Sequence, residues 1–253
     1  MTAIRSTMDA RGVARITIDR PDRKNAFDAS VIAEITEAAT EVSRDARAVV
    51  LASEGDVFCA GADVEWMRGM AAYTLAENRA DSARLAAMFR AVDALEMPLV
   101  ARVQGPAIGG GAGLVAVADI AVASTAASFA FTETRLGILP AVVSPYVVRK
   151  IGPARATALF VTGARIDAKR AHEIGLVERL AEPSDLEAAI GRVVDAILEG
   201  GPEATRAAKR LVREVEGRPV ADVVDLTVER IAAIRVTPEA QQRMRAFLDR
   251  KRE

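Results

Sequence analysis

Three consecutive glycines, Gly109 to Gly111, stand between an apolar run at residues 99–103 and a second one at 114–118. The first run has the length and composition of a buried strand and the second suits a helix, so the glycines mark a strand-to-helix turn. A helix start presents backbone N–H groups without intrahelical partners at the positive end of the helix dipole. Such a turn suits a developing negative oxygen. Downstream, Glu133 is the only acidic residue between Asp119 and Asp167, and a lone carboxylate in apolar surroundings is a candidate acid or base.

The glycine turn fails the tests for a phosphate loop. Gly105 and Gly110 have Walker A spacing, but Gly111 and Ala112 occupy the lysine and hydroxyl positions. A dinucleotide fingerprint starting at Gly109 needs a third glycine where Leu114 stands. No Gly-x-Ser-x-Gly elbow exists, and the single histidine, His172, lies far from the glycines in the chain. One histidine and one cysteine, Cys59, exclude the usual His and Cys zinc clusters and an intrachain disulfide, and no metal is expected.

The periodicity gives strands at 13–19, 48–52, 99–103, 119–123 and 128–131, with helices at 28–42, from 62 or 63 onward, and at 72–95. This alternation predicts a parallel sheet with crossover helices. Ser144 suits an N-cap with Pro145 opening the helix. Beyond residue 153 the pattern predicts a short strand near Val177 and helices at 167–173, 184–198, 202–216, 220–235 and 238–251. Aromatic residues make up only 4% of the chain, so small aliphatic side chains must fill its core. The domains expected are an α/β core over 1–190 and a helical C-terminal oligomerisation region over 191–253. A net charge of −1 without a long basic run argues against nucleic acid. The absence of a signal-like N-terminus or a transmembrane-length apolar run argues against a membrane and for the cytoplasm.

A second glycine-bearing loop, Val57-Phe-Cys-Ala-Gly-Ala-Asp-Val64, also follows a buried strand and precedes a helix. Two such loops on neighbouring strands can each direct one N–H at the same oxygen. With Phe58-Cys-Ala-Gly-Ala-Asp63, Gln104-Gly-Pro-Ala-Ile-Gly-Gly-Gly111, Asp119-Ile-Ala-Val-Ala123 and Phe129-Ala-Phe-Thr-Glu-Thr-Arg-Leu-Gly-Ile-Leu-Pro140 in this order, the chain resembles the enoyl-CoA hydratase/isomerase (crotonase) superfamily over nearly its whole length. That resemblance implies a crotonase-type ββα spiral core and a helical trimerisation region, assembled as a homotrimer or a dimer of trimers. It implies an acyl-CoA substrate, with coenzyme A as part of that substrate and no separate cofactor.

Carried onto this sequence, the resemblance places the oxyanion hole at the N–H groups of Ala62 and Gly110. Glu133 takes the catalytic carboxylate position. Hydratases of the family often carry a second acid two residues after the glycine triplet, where this chain has Gly113. Coenzyme A falls to the turn Arg20 to Asn25 and the backbone of Ala60 to Val64 (Ala60, Asp63 and Val64 among them), with Arg23 or Lys24 near phosphate, and to Phe247 and Arg250 from a neighbouring subunit. Glu65 stands where relatives often have lysine. Trp66 and Met67 suit core or the acyl-pocket wall, and Gly109 and Gly113 flank the substrate. Ala62-Asp-Val-Glu-Trp-Met-Arg and Leu139-Pro-Ala-Val-Val-Ser-Pro-Tyr are similar to bacterial hydratases of methylglutaconyl-CoA and isohexenylglutaconyl-CoA, whose extra carboxylate would call for Arg68, Arg84 or Arg135. Hydration, 3-enoyl to 2-enoyl isomerisation by Glu133 as single base, and a weakly active acyl-CoA-binding oligomer all stay open at this stage.

Overall fold

The computed structural model describes residues 2–250. An edge hairpin opens the chain, β1 (Ile4–Met8) and β2 (Val13–Ile18), and α1 (Ala29–Thr40) follows a tight turn at Pro21–Arg23. Asp28 caps α1 by accepting from the N–H groups of Ser30 and Val31. Next come β3 (Ala48–Ser53), α2 (Val64–Met70) capped by Asp63, and α3 (Leu75–Asp93), which Thr74 and Glu77 close with a capping box. Then β4 (Leu99–Val103), the short β5 (Ala107–Ile108), α4 (Gly110–Val117), β6 (Ile120–Ser124) and β7 (Ser128–Ala130) complete the part that builds the site. The remainder is α5 (Ser144–Ile151), α6 (Pro153–Thr162), β8 (Ile166–Asp167), α7 (Ala168–Glu173), β9 (Arg179–Ala181), α8 (Leu186–Glu199), α9 (Pro202–Val215), α10 (Val224–Arg235) and α11 (Pro238–Arg250).

Among the described residues the strands form two sheets, β1-β2-β3-β4-β6-β9 and β5-β7-β8. From β2 to β9 the larger sheet is parallel, and helices cover both faces, as its wholly apolar strands require. One face packs on α1, α3 and α4 through Val49, Leu51, Leu99 and Ala101; the other packs Val50, Val100 and Val122 on Val193 and Val194 of α8. The domain boundary read at 190 therefore falls inside α8, a helix buried against the sheet. In α9, α10 and α11 no residue is buried, and Val224, Val228 and Ile231 of α10 lie open to solvent. No helix among the described residues is long and apolar enough to cross a membrane.

Several elements differ from the periodicity. Strand β1 was not expected because it is a largely exposed edge strand, and β5 and β8 because each has only two residues; α6, which opens at Pro153, was not expected either. Ser144 is the first residue of α5 and not its cap: Val143 holds the cap position, and the Ser144 hydroxyl donates to the Ala141 carbonyl at 2.8 Å. The strand expected near Val177 forms at Arg179–Ala181, and the 220–235 helix divides into one turn at Val220–Asp222 and α10. Lys251, at the end of the last expected helix, lies outside the described residues.

Candidate active site

The two glycine-bearing loops lie against each other. Cys59 donates its N–H to the Pro106 carbonyl at 3.2 Å and accepts from the Ile108 N–H at 2.9 Å, so the 57–63 loop runs parallel to β5 on one side. On its other side the same loop pairs with the 24–27 segment. Ala60 donates to Lys24, Phe27 donates to Gly61, and Asp63 donates to Phe27, at 3.0, 2.7 and 2.7 Å. In such a parallel bridge the flanking residues, Gly61 and Asp63, serve Phe27, so the N–H of Ala62 itself points to the opposite side. That side is occupied by the 107–110 strand and turn: a Cβ on Gly61 would stand 2.9 Å from the Ile108 carbonyl oxygen.

At the facing loop, Gly109 has φ of +55°, a region that favours glycine, and its N–H donates to Ala130 at 2.8 Å. The first intrahelical bond of α4 runs from the Gly113 N–H to the Gly109 carbonyl, which leaves the Gly110 N–H ahead of the ladder. Neither Ala62 nor Gly110 donates its N–H to another described residue. Position 110 also has no space for a side chain, since a Cβ there would meet the Phe27 ring at 2.6 Å. The arrangement offers two rigid, untitratable donors from neighbouring loops, one of them at a helix N-terminus.

Glu133 stands beside this turn. It opens the single-turn helix Glu133–Leu136 directly after β7, and its Oε1 lies 3.0 Å from where a Cβ of Gly109 would be. Its Oε2 is buried and takes no hydrogen bond from the described residues. Burial pushes the Glu133 carboxyl above its ordinary range, partly offset by its own backbone N–H. A carboxyl raised in this direction is better suited to carry a proton than an ordinary surface glutamate.

One turn along α4, Gly113 faces carbon. A Cβ there would stand 2.4 Å from Val143 Cγ1 and 3.0 Å from Phe89 Cζ, and both side chains are buried. The position at which the resemblance implies a second acid is thus closed by apolar packing. Cys59 is wholly buried, its thiol pushed up to about 12 by desolvation, which leaves it inert. No group of three or more His, Cys, Asp or Glu residues suited to a metal ion occurs among the described residues.

Of the other expected site residues, Lys24 lies against the 57–63 loop, its carbonyl accepting from the Ala60 N–H. Arg23 and Lys24 are exposed on the turn before α1 and form no ion pair among the described residues. Trp66 is half-buried against the main core, whereas Val64 is exposed. Arg68 pairs with Glu65 on α2, Arg84 pairs with Asp81 on α3, and Arg135 lies along Gly163. Phe247 and Arg250 lie exposed on α11, where the Arg250 Nε donates to the Ala246 carbonyl.

Sequence reasoning named the Arg20 to Asn25 turn only as a coenzyme A contact and did not single out Phe27 or the structural part that Arg20 and Asn25 play. Asn25 is fully buried at φ of +55°; its Oδ1 accepts from the Arg20 N–H, and its Nδ2 donates to the carbonyls of Glu54 and Val57 at 2.8 and 2.7 Å. An asparagine closely following an Arg-Pro pair and directly preceding two apolar residues was the available signal.

The class the fold defines is an α/β protein with a largely parallel sheet flanked by helices, in which two glycine loops lie beside a carboxylate with one buried oxygen. The model of the enoyl-CoA hydratase/isomerase family matches residues 9–253. The chain is 30% identical over 244 residues to a crotonyl-CoA hydratase of Syntrophomonas wolfei, covering 95% of this chain and 93% of that protein. An enoyl-CoA hydratase from Shewanella pealeana superposes with a TM-score of 0.92 at 36% identity, covering 98% of this chain and 94% of the other. Pseudomonas aeruginosa AtuE superposes with a TM-score of 0.93 at 32% identity, covering 98% and 97%. The chain belongs to the enoyl-CoA hydratase/isomerase family, and its substrate class is accordingly an acyl-CoA thioester.

Proposed function

We propose that this chain hydrates a 2-enoyl-CoA, with Glu133 as the single acid-base group. The N–H groups of Ala62 and Gly110 hold the thioester oxygen as negative charge develops on it. Glu133, ionised, takes a proton from water as the water oxygen bonds to C3. The electron pair of the double bond moves toward the carbonyl, and Glu133 returns the proton to C2. The observation that supports this reading is the buried, unpartnered Oε2 of a carboxylate lying against the turn that carries Gly110. Loss of one oxyanion donor typically costs about 3 kcal/mol of barrier, so rigid backbone donors suit the role.

Isomerisation of a 3-enoyl-CoA is the second reading, and the flank at Gly113 favours it. A held water needs two or more polar partners, whereas Val143 and Phe89 present only carbon there. One carboxylate carrying one proton from C2 to C4 requires no such water. Coenzyme A would rest on Arg23, Lys24 and the Ala60, Asp63 and Val64 backbone, with Phe247 and Arg250 supplied by a neighbouring copy in a trimer or a dimer of trimers. For a substrate with an extra carboxylate such as methylglutaconyl-CoA, Arg135 is the arginine of the three with no ion pair among the described residues.

Incubation with crotonyl-CoA, 3-methylglutaconyl-CoA and a 3-enoyl-CoA, following the absorbance of the conjugated thioester, separates these readings. Loss of absorbance supports hydration, and a gain from the 3-enoyl substrate supports isomerisation. No change with any of the three overturns both.

A further inference from the structure

Beside the proposed oxyanion donor Ala62 sits a carboxylate that the reaction does not use. Asp63 is buried, with 5% of its surface exposed, and follows Ala62 directly in the chain. Its Oδ1 caps α2 through the Glu65 N–H at 2.8 Å, and its Oδ2 lies 3.4 Å from the Arg20 guanidinium. Arg20 also contacts Asp28 Oδ2 at 2.6 Å and donates to the Ala26 carbonyl at 3.2 Å. A buried negative charge next to a site that must accumulate negative charge on a substrate oxygen works against that site. The guanidinium is the group that offsets it.

We infer that Arg20 is a positioning and charge-balancing residue for the oxyanion hole: it neutralises Asp63 and ties the Ala62–Asp63 peptide to the caps of α1 and α2. The inference rests on the oxyanion role given to Ala62 under Proposed function. Asp63 is anchored three ways, by its backbone N–H to Phe27, its Oδ1 to Glu65 and its Oδ2 to Arg20, so the Ala62 N–H has little freedom to turn. Arg20 touches no reacting atom, and its influence reaches the substrate through Asp63.

Two sets of variants test this. Arg20→Gln leaves Asp63 and the more exposed Asp28 without their guanidinium, and Arg20→Gln with Asp63→Asn removes the buried charge next to Ala62 while asparagine keeps the cap and Asp28 stays charged at the start of α1. Arg20→Lys keeps the charge without the fork and serves where the glutamine variant does not fold. The readouts are kcat and KM on the enoyl-CoA substrate, and the enolate fraction of bound acetoacetyl-CoA, whose enolate oxygen occupies the position of the developing charge. Arg20→Gln is expected to lower kcat by at least about tenfold with KM little changed, a fraction of the 10²–10³-fold cost of losing a whole donor. It is also expected to lower the bound enolate fraction. The double variant should recover part of both, and Arg20→Lys should stay near the wild type in enolate fraction. A double variant no better than Arg20→Gln, or Arg20→Lys as poor as Arg20→Gln, overturns the charge-balancing role while leaving the proposed reaction intact. A wild type that neither turns over enoyl-CoA nor ionises the bound probe overturns both together.

Discussion

Gly109 and Gly113 lie one turn apart on the same face at the start of α4, and they meet opposite chemistry. Beside Gly109 is a carboxylate with a buried, unpartnered oxygen; beside Gly113 are the side chains of Val143 and Phe89. The helix therefore has one ionisable flank and one dry flank. With carbon at Gly113, the proposed reaction has to pass its proton through Glu133 alone. The difference lies in packing as well as sequence, because the space at 113 is already occupied.

The sharpest way to break the comparison is to remove the ionisable flank. Glu133→Gln is expected to lower kcat by about 10³-fold, in the range for loss of a general acid-base group, without change in circular dichroism. Retained activity would remove Glu133 from the site. Ionising the dry flank should do the reverse of adding function. Gly113→Glu drives a side chain into Val143 and Phe89 and is expected to destabilise the chain by about 3 kcal/mol in denaturant unfolding. Combining it with Val143→Gly should restore part of that loss; an unaltered midpoint for Gly113→Glu alone would show that the flank is open.

Between the two flanks, Gly110→Ala pushes a methyl against the Phe27 ring and shifts the proposed donor, for an expected loss of about 10²-fold in kcat with little change in KM. The pH profile sharpens the same contrast. With Glu133 as the only titrating group, kcat/KM should fall through a single ionisation as pH drops, at a value above the ordinary 4.5 of glutamate because burial disfavours the charged form. A fall through two ionisations would point to a second carboxylate.

The smallest effect concerns stability. A carboxyl whose folded pKa is raised contributes no penalty below 4.5, a growing penalty as pH rises to its folded value, and the full penalty above that. Glu133→Gln should thus raise Tm at pH 7 by about 2 °C, a gain that vanishes below pH 4. An equal gain at both pH values would mean that the effect comes from packing.

Much of this was readable in the sequence. The apolar runs at 48–52 and 99–103 are buried on both faces of a parallel sheet, and that burial is what makes such runs continuous. Glu133 stood out because no other acid lies near it in the chain. By contrast β1 was hidden because an edge strand has little apolar period to show, and Val143 and Phe89 looked like ordinary core residues. Residue 190, read as a boundary, lies within α8, and amphipathic periodicity shows that a helix has an apolar face without showing what that face packs on.

The sequence by itself determined the parallel α/β order, the two glycine loops and the family to which the chain belongs. Each of these depends on local periodicity or on residues close together in the chain. Only the tertiary structure decided that the 57–63 loop is held between β5 and the 24–27 segment, leaving the Ala62 N–H outside both ladders. It alone decided that Arg20 reaches Asp63 and that Val143 and Phe89 close the space at Gly113. Those facts join residues 24 to 49 positions apart, and only the packing of the folded chain selects which of them meet.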